Sequence, residues 1–585
     1  MKLDIPAIAL VVVVIAASVY VWNWLGQTIL FCLRLVSALI KVKMHALSKH
    51  GKYFSYADVF EDRVDATPDR VQFVTVEDEK AWTLAHLEKE ANQLAHWAVS
   101  QGYRRGDTVA VMMLNSPSMV SCLVGFAKVG VATALLNTNA AGKTFIHVVE
   151  VATRDSEQKT VIVDGELESQ IAEDLPVLRK LGVTVIFWRD GGDFLRPFPT
   201  SRPDKALRAD VKEKDPLAYI FTSGTTGLPK SSKISHSRFF IGGLPFSMLA
   251  VLKPSDRVYN TLPLYHSAGM MIGVGSCIYS GTTVVLRRKF SVRNFTPDCV
   301  RFKCNVIQYI GELCRYLLNA PVSPDEAKLK IDYAFGNGMM PDVWEKFQPR
   351  YGIKHVVEIY GATEGNCNLF NGCDVVGSCG YIPRLLDFLY PLAIVKPDPD
   401  DNDVPYRDPN TGLCVQSAPG EPGLLIGVIK TNDTSRRFEG YTDAAATKKK
   451  VLCDVLAKGD TWFNSGDLLR RDYWGWYYWC DRTGDTFRWK GENVATTEVE
   501  HVLGSCSEVA DVAVYGVKVP NQDGRAGMAA VVLDPEGSQA AALASIAVEV
   551  AKNLPAYSRP LFLRVDTQLN MTGTFKVGLG LPSVD

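Results

Sequence analysis

A run of hydroxyl and glycine residues that ends in a lysine is the clearest candidate for a phosphate-binding loop. The apolar residues 219–221 are followed by Thr222, Ser223, Gly224, Thr225, Thr226, Gly227, Leu228, Pro229 and Lys230. Glycines let backbone N–H groups turn toward an anion, the hydroxyls add donors, and the lysine adds positive charge. A Walker loop requires glycine directly before its lysine, where this chain has proline, so a P-loop kinase or GTPase is disfavoured. The pattern predicts a site for a nucleoside triphosphate.

Residues 222–230 resemble the nucleotide-binding loop of the adenylate-forming superfamily, which includes acyl-CoA synthetases, firefly-type luciferases and peptide-synthetase adenylation domains. The resemblance implies that a carboxylate attacks the α-phosphate of ATP and that pyrophosphate leaves. A second stretch, residues 358–365 (EIYGATEG), resembles the next motif of the superfamily. It implies that Tyr360 and Gly361 bind adenine, that Thr363 lies at the α-phosphate, and that Glu364 holds Mg²⁺. One carboxylate suffices for Mg²⁺ when phosphates and water supply the other ligands.

The same resemblance assigns the remaining nucleotide ligands. Gly336, Asn337 and Gly338 form a loop at the adenine edge, although a bare GxG is a weak signal. Asp467 accepts hydrogen bonds from both ribose hydroxyls, as one carboxylate can. Arg482 meets the ribose or a phosphate. Lys576, in residues 571–576 (MTGTFK), bridges the carboxylate and the α-phosphate and offsets negative charge that builds up during attack.

Residues 481–494 are similar to the signature of the fatty acid transport proteins, also called very-long-chain acyl-CoA synthetases. This resemblance implies a long-chain fatty acid and coenzyme A as substrates. The wider superfamily has a charged hinge residue where this chain has Gly484, and glycine permits the dihedral changes of a hinge. Residues 262–269 resemble the acyl gate of the family, with His266 at the pocket entrance. Ordinary helix packing is the alternative for that segment.

The N-terminal residues predict a membrane anchor. Residues 5–33 carry no charge, and as a helix they would be roughly 44 Å long, against about 30 Å of hydrocarbon core. A cleaved signal peptide is the alternative, but its apolar region is shorter. Positive charge follows the span at Arg34, Lys41 and Lys43, whereas only Lys2 precedes it. The positive-inside bias therefore predicts a single pass with a cytosolic body. We expect the endoplasmic reticulum, with plasma or peroxisomal membrane as alternatives.

Composition excludes several classes of function. The 585 residues have a net charge of −1, so no basic excess points to nucleic acid. Thirteen cysteines are scattered with no pair at zinc spacing, which favours free thiols in a reducing compartment. The sequence does not decide the oligomeric state, and a homo-oligomer stays open.

Alternating helical and strand patterns must position these residues. Apolar residues recur at helical spacing over 84–100, and 108–114 is a continuous apolar strand, as are 160–163, 183–188, 282–286 and 306–309. Strands separated by helices predict parallel α/β layers. We predict a membrane anchor with its juxtamembrane segment at 1–50, a large α/β adenylation domain of several sheets at 51–481, and a small mobile α+β domain at 482–585.

The sequence is consistent with three functions. The leading one is an ATP-dependent ligase that activates long- or very-long-chain fatty acids as acyl-adenylates, transfers them to coenzyme A, and so drives uptake. A fatty-acid transporter or receptor without catalysis is the second. A coenzyme A ligase for a bile-acid-like or aromatic acid is the third, and the motifs do not distinguish it from the first.

Overall fold

The computed structural model describes residues 26, 28–38, 40–41, 54–222, 229–387, 391–399, 402–431, 433, 436–483, 487–489, 492–494, 496–519, 525–534, 538–554 and 556–569. Most of the predicted membrane anchor lies outside these ranges. Among the residues described, no helix has both the length and the apolar character needed to cross a bilayer. The described chain is α/β with several sheets, as the sequence predicts.

Two large sheets are built from residues 71–371. Their strands are β1 (Val71–Thr75), β2 (Ala81–Thr83), β3 (Thr108–Met112), β4 (Ala132–Leu135), β5 (Thr160–Asp164), β6 (Thr184–Trp188), β7 (Pro216–Thr222), β8 (Lys230–Ser235), β9 (Arg257–Asn260), β10 (Thr283–Leu286), β11 (Val306–Ile310), β12 (Tyr333–Asn337), β13 (His355–Tyr360) and β14 (Leu369–Asn371). One sheet has the order β14-β13-β12-β11-β9-β10-β1-β2, and the other has the order β6-β5-β3-β4-β7-β8. Neighbours pair in parallel except at the antiparallel strands β2, β8 and β14. Parallel strands are covered on both faces, and β3, β4 and β10 are buried throughout.

Helices connect these strands. Their bounds are Tyr56–Ala66, Leu84–Ser100, Pro117–Ala127, Gly142–Thr153, Leu175–Lys180, His236–Leu249, Gly275–Ser280, Val292–Arg301, Gly311–Asn319 and Pro341–Arg350. Helix Leu84–Ser100 has the predicted bounds, and its cap Thr83 accepts a hydrogen bond from the backbone N–H of His86. A Cβ at Gly125 would lie 2.6 Å from the carbonyl oxygen of Ala91, so glycine permits this helix and Pro117–Ala127 to approach closely.

A third, antiparallel sheet follows along the chain. Its strands are β15 (Gly380–Tyr381), β16 (Leu392–Val395), β17 (Gly423–Val428), β18 (Val451–Cys453), β19 (Thr461–Arg471) and β20 (Trp476–Arg482). They have the order β15-β20-β19-β17-β16, with β18 also paired to β19. Helix Ala444–Lys449 precedes β18.

The last part of the described chain is a small α+β unit with its own core. A hairpin, β21 (Phe487–Trp489) and β22 (Glu492–Val494), precedes a sheet of β23 (Val509–Val517), β24 (Ala526–Leu533) and β25 (Phe562–Asp566). Helices Thr496–Gly504 and Gln539–Asn553 belong to the same unit, and its core includes Val499 and Ala529. The domain boundary between residues 481 and 482 stays a prediction.

Candidate active site

The predicted nucleotide motifs begin where parallel strands end. Strand β7 ends at Thr222, β12 ends at Asn337, and β13 ends at Tyr360. In open α/β sheets, ligands bind at the carboxyl ends of the strands, because loops from several strands meet there. The fold therefore carries motifs that are far apart in sequence to one side of the molecule.

One cavity of about 1430 Å³ joins these motifs. Of the predicted nucleotide ligands, the following line it: Thr222, Asn337, Gly338, Tyr360, Gly361, Thr363, Asp467 and Arg482. His266, the predicted gate residue, lines the same cavity. The volume exceeds the roughly 300–1,000 Å³ of ordinary small-molecule pockets, so there is room for more than a nucleotide.

The loop Gly336-Asn337-Gly338 requires glycine for two different reasons. Gly336 pairs with Tyr309 across β11 and β12, and a Cβ at Gly336 would overlap the carbonyl oxygen of Tyr309. Gly338 has a φ of 78°, in the left-handed region where other residues are strained. The GxG spacing, weak as a sequence signal, thus corresponds to a tight turn at the end of β12.

Glu358 fixes the loop Gly336-Asn337-Gly338 through hydrogen bonds to its backbone. Sequence reasoning did not assign it a role. Its carboxyl group accepts hydrogen bonds from the backbone N–H groups of Gly338 and Met339 and from the hydroxyl of Tyr309. Burial raises the pKa of Glu358 to about 8, although these hydrogen bonds oppose the rise. An acidic residue inside an otherwise apolar strand was the signal available in the sequence.

Asp467 already has two partners in the cavity wall. The hydroxyl of Tyr360 donates to Asp467 Oδ2 at 2.6 Å, and Arg482 Nε lies 3.5 Å from Asp467 Oδ1. Asp467 and Arg482 are opposite each other on β19 and β20, so the sheet register fixes their proximity. A carboxylate with a hydroxyl on one side and a guanidinium on the other is suited to binding a ribose diol.

Thr363 is held near the predicted gate. Its hydroxyl lies 3.0 Å from that of Ser267, the residue after His266. Arg238, on helix His236–Leu249, donates to the carbonyl oxygens of Ala362 and Gly365 at 3.1 and 2.6 Å. The loop that carries Thr363 is therefore fixed from two sides, and sequence reasoning assigned no role to Ser267 or Arg238.

Glu364 and Lys230 both lie near Tyr441, a residue that belongs to none of the predicted motifs. The hydroxyl of Tyr441 donates to Glu364 Oε1 at 2.5 Å, and the Lys230 ammonium lies 5.9 Å from the centre of the Tyr441 ring. Within the described part of the chain, neither Glu364 nor Lys230 lines the cavity itself, whereas Thr363 next to Glu364 does. Glu364 is half-buried and offers a hard oxygen ligand, which fits Mg²⁺.

Some predicted site residues lie outside the described ranges. They are Ser223, Gly224, Thr225, Thr226, Gly227 and Lys576. The two ends of the phosphate loop are described: Thr222 and Lys230 pair as antiparallel neighbours on β7 and β8. The predicted loop is thus the connection of a hairpin, and the roles of its residues and of Lys576 stay predictions.

Apolar side chains also line this cavity. Helix His236–Leu249 contributes Ile241, Phe246 and Leu249, and Met271 is another wall residue. A Cβ at Gly242 would lie 2.6 Å from Met271 Cγ and Sδ, so the missing side chain makes room for the flexible methionine. Residues of the nucleotide motifs and apolar residues therefore line one cavity.

Known families and individual proteins match most of this chain. The AMP-binding enzyme family matches residues 60–426, and the AMP-binding enzyme C-terminal domain matches residues 498–576. Long-chain fatty acid transport protein 1 of Mus musculus is 41% identical over 563 residues, which are 93% of this chain and 84% of that protein. The medium/long-chain-fatty-acid–CoA ligase FadD6 of Mycobacterium tuberculosis is 37% identical over 531 residues, which are 91% of this chain and 85% of that protein.

Solved structures share the fold at lower identity. The anthranilate CoA ligase AuaEII in complex with anthranoyl-AMP has a TM-score of 0.73 at 20% identity, covering 91% of this chain and 96% of that one. The o-succinylbenzoate coenzyme A synthetase MenE of Bacillus subtilis, in complex with ATP and magnesium ion, has a TM-score of 0.68 at 22% identity. That match covers 88% of this chain and 97% of the synthetase.

Proposed function

The chain belongs to the AMP-binding enzyme family and, within it, to the long-chain fatty acid transport proteins, and from this premise we propose that it is an ATP-dependent ligase joining long- or very-long-chain fatty acids to coenzyme A. The observation that carries the proposal is the shared cavity, whose wall includes both the polar Asp467 and Thr363 and the apolar Phe246 and Leu249. An acyl-adenylate needs both surroundings at once, because it joins a polar nucleotide to an apolar chain.

The reaction has two steps. An oxygen of the fatty acid carboxylate bonds to the α-phosphorus of ATP, and pyrophosphate leaves. The thiol of coenzyme A then loses its proton to solvent, its sulfur bonds to the acyl carbon, and the bond from that carbon to AMP breaks, so that AMP leaves. Tyr360 faces adenine, Asp467 accepts from the ribose hydroxyls, and the hydroxyl of Thr363 donates to the α-phosphate. Lys576 offsets the charge that develops in the first step.

Glu364 would hold a Mg²⁺ ion, for which water and phosphate oxygens would supply the other ligands. When bound, the ion neutralises phosphate charge. Tyr441 holds the Glu364 carboxylate in place by donating to one of its oxygens.

Coenzyme A would enter beside the small domain. Thr496, His501 and Asp511 belong to that domain and line the same cavity as Asp467. A turn of the domain about residues near Gly484 would therefore change access to the adenylate. The position of the hinge and the movement are part of the proposal.

We also propose a single membrane pass within residues 5–33, a cytosolic body, and the endoplasmic reticulum as the location. The helix of residues 28–38 supports contact with a membrane: its Ile29, Leu30 and Leu33 side chains are 58%, 48% and 61% exposed although they are apolar. Exposed apolar faces of this kind mark contact with lipid or protein. The thirteen cysteines are free thiols, which agrees with a reducing compartment.

The test is ligase activity of the full-length chain in detergent micelles. With ATP, Mg²⁺, coenzyme A and a fatty acid panel, we expect pyrophosphate release and an acyl-CoA product identified by mass spectrometry. Aromatic and bile acids belong in the panel. Activity with these acids alone would favour a coenzyme A ligase for a bile-acid-like or aromatic acid. Absence of pyrophosphate release with every acid would exclude a ligase.

Uptake is tested separately in cells. If uptake follows from trapping the acid as a thioester, the double variant Glu364→Ala, Lys576→Ala abolishes it. Uptake that persists in this variant at equal expression would favour a transporter without catalysis.

A further inference from the structure

The helix of residues 28–38, called the N-terminal helix from here on, has an unusual distribution of apolar residues. Phe31, Leu35 and Ala38 recur at helical spacing on one side, and Phe31 and Ala38 are 2% and 0% exposed. Ile29 and Leu33 lie on the other side and are exposed. A helix that is apolar on two faces is stable when an apolar environment covers each face. The rest of the protein covers the face that contains Phe31 and Ala38.

Phe31 is fixed against the body by close packing. It belongs to a buried cluster with Leu249, Cys373 and Trp476. A Cβ at Gly372 would lie 2.9 Å from two atoms of the Phe31 ring, so the absence of a side chain at Gly372 leaves room for the ring. The contact is therefore specific, and not an incidental touch of a terminal segment.

The inner face of the N-terminal helix also lines the cavity. Phe31, Leu35, Val36 and Ala38 are wall residues of the same cavity as Thr363 and Asp467. A series of packed aromatic rings connects the start of the adenine-edge loop with the N-terminal helix. The Phe246 ring lies 4.9 Å from that of Phe335, which precedes the adenine-edge loop, and 6.3 Å from that of Phe370. Phe370 in turn packs on the cluster that contains Phe31.

From this placement we propose that the N-terminal helix is the end wall of the acyl site and that Phe31 is the side chain that limits chain length. The inference rests on the proposed ligase function. Each methylene buried contributes about 0.8 kcal/mol, so a chain gains affinity until its methyl end meets a fixed ring. Beyond that point additional methylenes must displace Phe31 or remain in water. The segment proposed as membrane anchor thus also completes the substrate site.

The experiment compares chain-length selectivity in the full-length chain in detergent micelles. The measured quantity is kcat/KM for lignoceric acid divided by kcat/KM for palmitic acid. Phe31→Ala should raise this ratio roughly tenfold, equivalent to 1.4 kcal/mol, and Phe31→Leu should raise it less. Phe31→Trp should lower it. Leu33→Ala, an outward-facing change on the same helix, is the matched control and should leave the ratio unchanged.

A second readout does not depend on a variant folding. A fatty acid that carries a diazirine at its methyl end is bound to the unmodified protein and photolysed, and the labelled peptide is identified by mass spectrometry. Labelling of residues 28–38 is the expected result. Labelling confined to helix His236–Leu249 or to the region of Met271 would overturn the inference, as would unchanged ratios in all three Phe31 variants.

These outcomes are separable from failure of the ligase proposal. Unmodified protein that forms no acyl-CoA from either acid contradicts the proposed function. Active protein whose selectivity is indifferent to Phe31 contradicts only the role of the N-terminal helix.

Discussion

The hydroxyl of Tyr360 donates a 2.6 Å hydrogen bond to the carboxylate of Asp467, and this contact joins the end of β13 to β19 in a different sheet. Burial, with the Asp467 carboxylate next in importance, raises the pKa of Tyr360 well above its usual range. The phenol therefore stays protonated at neutral pH and donates this hydrogen bond. Two sheets are thus aligned by a bond between two predicted nucleotide ligands.

Tyr360→Phe should weaken ATP binding without affecting the acyl side. Loss of a hydrogen bond to a charged group is worth about 1.5–3 kcal/mol, so we expect KM for ATP to rise roughly 10- to 100-fold. KM for palmitic acid should be nearly unchanged. Steady-state kinetics with each substrate varied in turn gives both values. Tyr478→Phe, which removes a hydroxyl 3.5 Å from Asp472 on the same sheet, is the control, and an equal change in both variants contradicts the prediction.

Tyr441→Phe should raise the Mg²⁺ concentration needed for half-maximal activity. Groups that orient a metal ligand typically contribute 10- to 100-fold in metal affinity or activity, and Tyr441 holds Glu364 through its hydroxyl. Glu364→Gln should cost at least as much. Activity is measured across a Mg²⁺ titration at constant ATP. Glu345→Gln, at an exposed position on helix Pro341–Arg350, should leave the curve in place, whereas three identical curves would remove Glu364 from the metal site.

Sequence motifs and predicted strands were sufficient to identify part of the candidate site. The motifs that contain Thr222, Asn337 and Tyr360 could be assigned from the sequence, whereas only the fold shows that these residues line one cavity. The α/β fold followed from the alternation of helical and strand patterns, and the helix Leu84–Ser100 has its predicted bounds. These features depend on local patterns, which a sequence displays directly.

What the sequence could not provide are contacts between distant segments. Tyr441 lies in no motif, and only the fold brings it to Glu364, 77 residues away. Glu358 was part of a recognised motif, but its carboxyl group points to the adenine-edge loop, which no spacing rule indicates. Residues 28–33 belonged to an uncharged stretch, and apolarity alone does not distinguish a membrane segment from a wall of a cavity.

Glu358 should make stability depend on pH. Its pKa in the folded protein is about 8, against an ordinary value of 4.5. Between these values the unfolded chain releases the proton that the folded protein keeps. The stabilisation is therefore complete below the ordinary pKa and is lost as pH rises toward 8.

Glu358→Gln keeps an uncharged acceptor at this position and should remove that part of the pH dependence. We expect the unfolding temperature of the unmodified protein to fall relative to that of the variant as pH rises from about 5 to about 8. Differential scanning fluorimetry at several pH values measures the difference, and Glu345→Gln corrects for the loss of a carboxyl group. Curves for unmodified protein and Glu358→Gln that stay parallel over this interval would show that the buried carboxyl is not the group titrating.

Lys576→Ala should separate the two chemical steps. The resemblance places this lysine between the carboxylate and the α-phosphate, where its charge offsets the negative charge that develops only during adenylation. Removing one such group typically costs about 100- to 1,000-fold in rate. ATP–pyrophosphate exchange should fall by that factor, while transfer from synthetic palmitoyl-adenylate to coenzyme A should fall much less. Lys552→Ala, at the exposed end of helix Gln539–Asn553, should affect neither step. If both steps were lost equally in Lys576→Ala, the lysine would have to act on the position of the small domain, because a charge needed only in adenylation cannot slow the second step to the same extent.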